Sequence, residues 1–195
     1  LYLEHLWSAK ILDLGRLRHP TLERLAASPD GIITEVRDLS NAHLFGDLVE
    51  IKCPSSRRIG TSVPSPYWYQ MQLQMEVTES PVCQYAEFTF RSFTAQSQTC
   101  DEPKSFLQKG VLYLLENASR CELKYEYGPI GDMTWEPPQE EGWEILEKIP
   151  WYLEKIWIQP VIRDQAWFQS VLPLLDSCCK DVELAKKGEL QVPES

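Results

Sequence analysis

Hydrophobic and polar residues alternate along the chain with two different periods, which predict helices and strands. Apolar residues at helical spacing over residues 1–12 predict the end of an amphipathic helix. Two β-rich runs follow at residues 31–36 and 48–53, and the polar stretch 38–41 separates them. Two such runs with a polar connection are typical of paired antiparallel strands.

A helix and further strands are predicted downstream. Ser65 and Pro66 are favourable N-cap and first-turn residues for a helix over residues 67–77. Apolar residues on one face of residues 82–90 predict another strand. Two weaker strand signals joined by a polar turn lie within residues 111–127, which indicates a hairpin.

The C-terminal part has a different pattern. After a break at residues 135–142, residues 143–188 are apolar at helical spacing. We expect two or three helices here, interrupted at Pro160 and Pro173 and ending near Gly188, a suitable C-terminal cap.

The order helix, strands, helix, strands, helices predicts an α/β (α+β) fold with a central mixed, partly antiparallel sheet flanked by helices. We expect a single domain over residues 1–195, with a core over about 1–135 and a C-terminal helical part over about 143–190. The composition, 43% hydrophobic and 25% charged, is that of an ordinary globular chain.

Composition also bears on the compartment. No stretch approaches the ~20 apolar residues that span a bilayer, and the first residues lack a signal-peptide layout. We therefore expect an intracellular protein that is neither secreted nor in a membrane. Because the sequence begins at Leu1 rather than Met, we also expect sequence before it. The 6 cysteines and 3 histidines show no metal-ligand spacing, which favours reduced thiols over zinc or iron–sulfur.

The net charge of −10 is unevenly distributed. Basic and acidic residues balance over residues 1–75, and the remainder of the chain carries the negative charge. Such a balance disfavours indiscriminate binding to nucleic acid, whose affinity comes from neutralising phosphates. It does not exclude a nucleic-acid enzyme with a local basic groove.

Charged residues on the second strand are the first candidates for chemistry. Glu50 and Lys52 share one face by the strand period of two, about 7 Å apart. Burying both is costly unless a partner or a metal compensates them. Taken alone, the pair is better interpreted as a surface ion pair.

Asp30 changes that interpretation, because a hairpin places the start of the preceding strand beside Glu50. Two carboxylates helped by a backbone carbonyl suit Mg²⁺ or Mn²⁺. Lys52 is then suited to orient or deprotonate a water molecule, or to stabilise charge on a phosphate. The alternative for Pro29-Asp30-Gly31 is an ordinary turn.

Three motifs in this order resemble the YqaJ-type viral recombinase family. They are AASPDGI at residues 26–32, LVEIKCP at 48–54 and YWYQMQLQM at 67–75. This family contains relatives of phage lambda exonuclease within the PD-(D/E)XK nucleases. The resemblance implies a restriction-endonuclease-like core with C-terminal helices.

The resemblance also implies site residues. Asp30 and Glu50 are the implied metal-binding carboxylates, Ile51 offers its backbone carbonyl, and Lys52 is the catalytic lysine. Gln70 corresponds to the family's helix glutamine, which holds the lysine, the water or the DNA backbone. The implied metal is Mg²⁺, with Mn²⁺ as a substitute.

Other residues are candidates for contacting DNA. The residues that follow the Lys52 strand, with one helix residue, form the first group: Ser55, Ser56, Arg57, Arg58 and Gln74. A supporting basic set comprises Arg16, Arg18 and Arg24, and three aromatic residues suited to stacking on a frayed base are Tyr67, Trp68 and Tyr69. The alternatives are a solvated loop for the first group and core packing for the aromatic residues.

The family also has an acidic residue on a helix upstream of the Pro-Asp-Gly motif. Glu4 is the acid on the predicted N-terminal helix and matches poorly, so we expect the true counterpart before Leu1.

The resemblance implies a 5′-to-3′ exonuclease acting on double-stranded DNA ends, together with a single-strand annealing protein and in a homotrimer. One alternative is a structure-specific endonuclease of the same fold. An iron–sulfur nuclease of that fold is disfavoured by the cysteine spacing. Another alternative is a catalytically silent DNA-binding module, in which Asp30, Glu50 and Lys52 survive as an ion-pair network.

Overall fold

Three helices and nine strands make up the computed structural model, which describes residues 2–55, 58–60, 62–92 and 107–190. The helices are α1 (Tyr2–Trp7), α2 (Ser65–Thr78) and α3 (Gln165–Lys187), with a 3-10 helix at Leu39–Leu44. The strands are β1 (Ala9–Asp13), β2 (Leu17–Arg18), β3 (Ala26–Ala27), β4 (Gly31–Val36), β5 (Leu48–Lys52), β6 (Val82–Ser92), β7 (Gln108–Asn117), β8 (Glu122–Tyr127) and β9 (Glu144–Ile162).

Seven strands form one sheet in the order β1-β4-β5-β6-β9-β7-β8. Only β5 and β6 pair in parallel, whereas the other neighbours are antiparallel. A parallel pair needs a long crossover, and α2 supplies it between β5 and β6. The mixed, partly antiparallel sheet that the sequence predicted is confirmed.

The predicted strands at 31–36 and 48–53 are confirmed as β4 and β5, which pair with Gly31 opposite Val49. The predicted helix at 67–77 is α2, which begins two residues earlier, at Ser65. Pro64 occupies its N-cap without a side-chain hydrogen bond, so the cap predicted for Ser65 is wrong by one position.

The predicted N-terminal helix is much shorter than expected. It ends at Trp7, and Ser8 turns the chain with φ 48°, outside the helical region. Residues Ala9–Asp13 then pair with β4 as β1, so their apolar side chains serve a strand instead of a helix.

The largest correction concerns residues 143–188, for which two or three helices were predicted. Residues Glu144–Ile162 form the long strand β9 between β6 and β7, and a single helix, α3, follows. Pro150 and Pro160 are tolerated because each lies where β9 has only one of these two neighbours. Pro173 lies inside α3, and Gly188 caps that helix with φ 72°, as predicted.

The sheet is buried on both faces near its centre. One face packs around Leu3, Ile33 and Val49, and the other packs Leu48 against Met71 of α2. β5 is therefore covered on both sides, which places Glu50 inside the protein. None of the helices in the described part of the chain is long and apolar enough to cross a membrane.

Candidate active site

Glu50 lies at the centre of the candidate site, on β5 beneath α2. Its side chain is 0% exposed. Gln70 Nε2 donates to Glu50 Oε1 at 2.7 Å, and Gln74 Nε2 donates to Oε2 at 2.8 Å. The two glutamines stand four residues apart, so they lie on one face of α2. The Lys52 ammonium contacts Oε1 as well, so a buried carboxylate receives both donors and a compensating charge.

Lys52 lies between Glu50 and the aromatic residues of α2. Its side chain is 23% exposed, and its Nζ stands 5.1 Å from the centroid of the Tyr67 ring. This cation–π contact positions the ammonium from a second direction. Tyr67 thus packs in the site instead of standing free for a base.

Asp30 reaches β5 from the start of β4. Its Oδ2 accepts a hydrogen bond from the Ile51 backbone N–H at 2.7 Å. Gly31 allows β4 to pair closely with β1 on the other side, because a Cβ there would lie 2.5 Å from Ile11 Cγ2 and 3.1 Å from the Leu12 carbonyl oxygen. The hairpin therefore brings Asp30 to the strand that carries Glu50, as the sequence analysis proposed.

An acidic cavity of about 240 Å³ adjoins Asp30. Glu4 and Asp13 also line it, with Ile51, and none of its described lining residues is basic. The Ile11 N–H donates to Glu4 Oε1 at 3.0 Å and holds the pKa of that carboxyl below its ordinary value. Glu4, a poor match in the sequence, thus shares a cavity with Asp30. The acidic counterpart expected before Leu1 lies outside the described residues.

The donors at this site suit a hard divalent cation. Asp30 contacts the Ile51 backbone, and Glu50 precedes Ile51 on β5, so two carboxylates and a backbone carbonyl come from neighbouring positions. Within the described ranges, no three His, Cys, Asp or Glu side chains converge closely enough to ligate a metal. Two carboxylates and a carbonyl fit Mg²⁺, which usually retains several waters. Gln74 Oε1, a buried acceptor with no partner among the described residues, adds an oxygen beside Glu50.

A basic cavity of about 670 Å³ lies beyond the end of β5. Ser55 and Arg58 line it, as does Arg91, whose Nε donates to Glu154 Oε2 at 3.0 Å. Lys155 of β9 completes its basic lining. Arg91 and Lys155 were not predicted, because no local pattern shows that these parts of β6 and β9 lie beyond the end of the Lys52 strand.

The other predicted DNA contacts are placed differently. Gln74 is 2% exposed and bonded to Glu50 instead of facing outward. Ser56 and Arg57 fall outside the described residues. Arg24 lines a separate cavity against α3.

The α2 aromatic residues pack mainly on α3. Tyr69 stacks on Trp167 at 5.5 Å between ring centroids, with an interplanar angle of 5°. Trp68 meets Trp167 edge to face at 5.1 Å. The alternative of core packing is therefore the better description of Trp68, whereas Tyr69 remains 49% exposed.

The fold and the site together define a class. A helix, three antiparallel strands, a crossover helix and a parallel strand appear here as α1, β1, β4, β5, α2 and β6. With an acid entering the second strand and Glu-x-Lys on the third, this arrangement resembles the PD-(D/E)XK core that the motifs imply. Residues 10–81 match the YqaJ-like viral recombinase domain, which confirms the resemblance indicated by the motifs.

Comparison with individual proteins gives similar chains of greater length. The chain is 25% identical over 210 residues to the uncharacterized protein R354 of Acanthamoeba polyphaga mimivirus, and the alignment covers 86% of this chain and 38% of the relative. Crystal structures of an alkaline exonuclease (LHK-Exo) from Laribacter hongkongensis, one of them in complex with dAMP, align at a TM-score of 0.48 and 19% identity. That alignment covers 96% of this chain and 66% of the other.

Proposed function

We propose that this chain is a metal-dependent deoxyribonuclease, acting as a 5′-to-3′ exonuclease on double-stranded DNA ends during viral recombination or DNA processing. The observation that carries the proposal is the contact of Asp30 with the Ile51 backbone, between the paired residues Glu50 and Lys52 on β5. The match of residues 10–81 to a viral recombinase domain supports it, and the similarity to a mimiviral protein supports the viral setting.

Asp30, Glu50 and the Ile51 carbonyl would hold Mg²⁺, with Mn²⁺ as a substitute. When bound, such an ion polarises the phosphate and lowers the pKa of a coordinated water. Gln70 and Gln74 orient the Glu50 carboxylate by donating to its two oxygens. These glutamines are positioning residues in this proposal.

Lys52 supplies a mobile positive charge at the reacting phosphate. Its flexible stem and partial exposure let the ammonium donate to a phosphate oxygen and stabilise the charge that develops there. The neighbouring Tyr67 ring keeps the ammonium within the site when it leaves Glu50.

The basic cavity is the proposed contact with the DNA backbone. Arg58, Arg91 and Lys155 bring three cations to the end of β5, in a protein whose net charge is −10. A guanidinium binds phosphate oxygens in bidentate geometry, and local cations concentrate a polyanion despite the overall negative charge. A single-strand annealing protein and a homotrimer are the proposed partners.

A catalytically silent DNA-binding module is the second candidate, and one observation favours it. The Lys52 ammonium already lies on Glu50, so the pair also forms the ion-pair network of a structural module. Metal-dependent cleavage separates the two candidates.

The test is digestion of end-labelled linear duplex DNA beside a covalently closed circle, with Mg²⁺ or with EDTA. We expect Mg²⁺-dependent loss of the linear substrate alone, and no loss with Lys52→Ala. Lys10→Ala is the matched control. Lys10 is an exposed lysine on the edge strand β1, where it pairs with Glu35 of β4.

Cleavage of the circle would replace the exonuclease by an endonuclease. DNA binding without cleavage of either substrate would favour the silent module. Labelling the 5′ and 3′ termini separately determines the direction of digestion.

A further inference from the structure

An apolar cavity of about 380 Å³ adjoins the acidic cavity. It lies between the C-terminal end of β6 and the β7–β8 hairpin. Four of its lining residues are aromatic, and none of those that the structure describes is charged. They are Tyr2, Phe90, Leu112, Tyr127, Gly128, Ile130 and Trp151. Cavities of this size accept ligands up to the size of small drugs, so a single planar heterocycle fits.

The aromatic walls are held in place by their neighbours. Phe90 meets Trp151 edge to face at 5.5 Å and stacks on Phe88 at 5.8 Å. The Trp151 indole lies against Gly110, where a Cβ would come within 2.5 Å of the ring. The walls are therefore preorganised, which lowers the entropic cost of binding a planar ligand.

Aromatic surface remains open in this cavity. Phe90 is 43% exposed and Tyr127 is 60% exposed. Exposed aromatic side chains that converge on one hollow are unusual on a surface unless something packs there.

Phe90 connects this cavity to the two charged cavities. It lines the acidic cavity beside Asp30 and the basic cavity of Arg58, and Tyr2 is also shared with the acidic one. Acidic, basic and aromatic walls thus meet at one side chain. A ligand that spans them carries an anionic backbone and a planar apolar group.

We propose that the aromatic cavity binds an unpaired nucleobase of the strand whose backbone lies at Asp30 and Glu50. This proposal rests on the function proposed above. A base in a duplex is stacked on its neighbours and paired at its edge, so only a frayed or single-stranded base presents free faces. The aromatic cavity thereby selects opened DNA ends for the proposed metal ligands Asp30 and Glu50.

The lining also determines what the site reads. A cavity that binds a base by stacking, with no charged side chain to read its edge, accepts any base, because every base has a π-face. Purines, with their larger rings, bind more tightly than pyrimidines at this position. We therefore expect a preference for purines without a sequence motif.

The test measures equilibrium binding in EDTA, where no metal supports cleavage. The probes are duplexes with a short single-stranded end and a fluorophore at the far end. A single abasic nucleotide is placed in turn at each position of the opened end. For the unmodified protein, we expect one position at which loss of the base weakens binding by about 5- to 150-fold, as for one stacked base.

Two variants locate that effect. Tyr127→Ala removes an exposed wall residue, and Ile130→Trp fills the cavity; both are expected to abolish the difference between normal and abasic ends. Tyr125→Ala is the matched control, because Tyr125 lies two residues away on β8, is 55% exposed and does not line the cavity. It is expected to retain the difference.

The proposal is overturned if no position depends on its base, or if Tyr127→Ala and Ile130→Trp leave that dependence intact. It is also overturned if they weaken normal and abasic ends equally. The proposed nuclease activity is judged separately by cleavage with Mg²⁺. A protein that does not cleave but shows the base dependence would retain the cavity assignment and lose the nuclease assignment.

Discussion

Replacing Lys52 by Met separates the structural role of the buried ion pair from its proposed role in catalysis. The Glu50 carboxylate is 0% exposed, and Lys52 is the cation that contacts it in the described structure. Lys52→Met keeps the length of the side chain and removes its charge. The carboxylate is then left with the two amide donors of α2.

The expected cost follows from these contacts. Removing one partner of a buried ion pair costs ~3–5 kcal/mol. The Lys52 side chain is 23% exposed and both amide hydrogen bonds remain, so we expect the lower end, about 3 kcal/mol. For a chain of this size that loss lowers Tm by ~6–12 °C.

The assay is thermal and urea unfolding, monitored by circular dichroism. An m-value equal to that of the unmodified protein shows that a shift in the urea midpoint reports a change in stability. The double variant Glu50→Gln with Lys52→Met removes both charges, so we expect it to recover most of the lost stability while remaining inactive. The reasoning is refuted if Lys52→Met is as stable as the unmodified protein. It is also refuted if the double variant is no more stable than Lys52→Met.

Three further predictions concern other parts of the molecule. Arg91→Ala is expected to weaken DNA binding and to reduce the slope of log affinity against log salt by about 1; Lys10→Ala, measured in the same titration, should change neither. Gly31→Ala forces a contact with β1 and should destabilise the protein by ~1–3 kcal/mol in urea unfolding; an unchanged midpoint would contradict the close packing. Burial raises the pKa of the Asp47 carboxyl, which accepts from Gln84 at 2.8 Å. Since the folded state then binds the proton more tightly, this group's contribution to stability falls as pH rises through its folded pKa. Asp47→Asn should therefore be more stable at pH 7, with the advantage lost below pH ~4; a constant difference across that range would contradict the assignment.

The elements that hold the candidate site were predictable because their signals are local. A hairpin and the helix after it lie within residues 26–78, and their motifs depend on spacing within a few residues. The meeting of Asp30 with β5 follows from strand pairing alone. That Gln74 turns inward to Glu50 did not follow, because it depends on how α2 sits on the sheet.

The long strand β9 shows why the remainder was missed. Its apolar residues occur at positions that also fit a helix, and prolines within it suggested helix ends. Tertiary pairing decided the outcome, since β7 pairs with residues 144–153 and β6 pairs with residues 151–162. Misassigning this strand concealed Lys155 and Trp151, and with them the basic and aromatic cavities.

The position of β9 has an evolutionary consequence. The proposed metal ligands and their supporting glutamines lie in one contiguous stretch, residues 30–74, whereas Trp151 and Lys155 stand on a strand far along the chain. Substitutions in β9 can reshape the walls around a substrate without altering any residue of that stretch. Under the proposed function, substrate choice and bond cleavage can therefore diverge at different rates, with the same proposed catalytic segment serving DNA ends of different form.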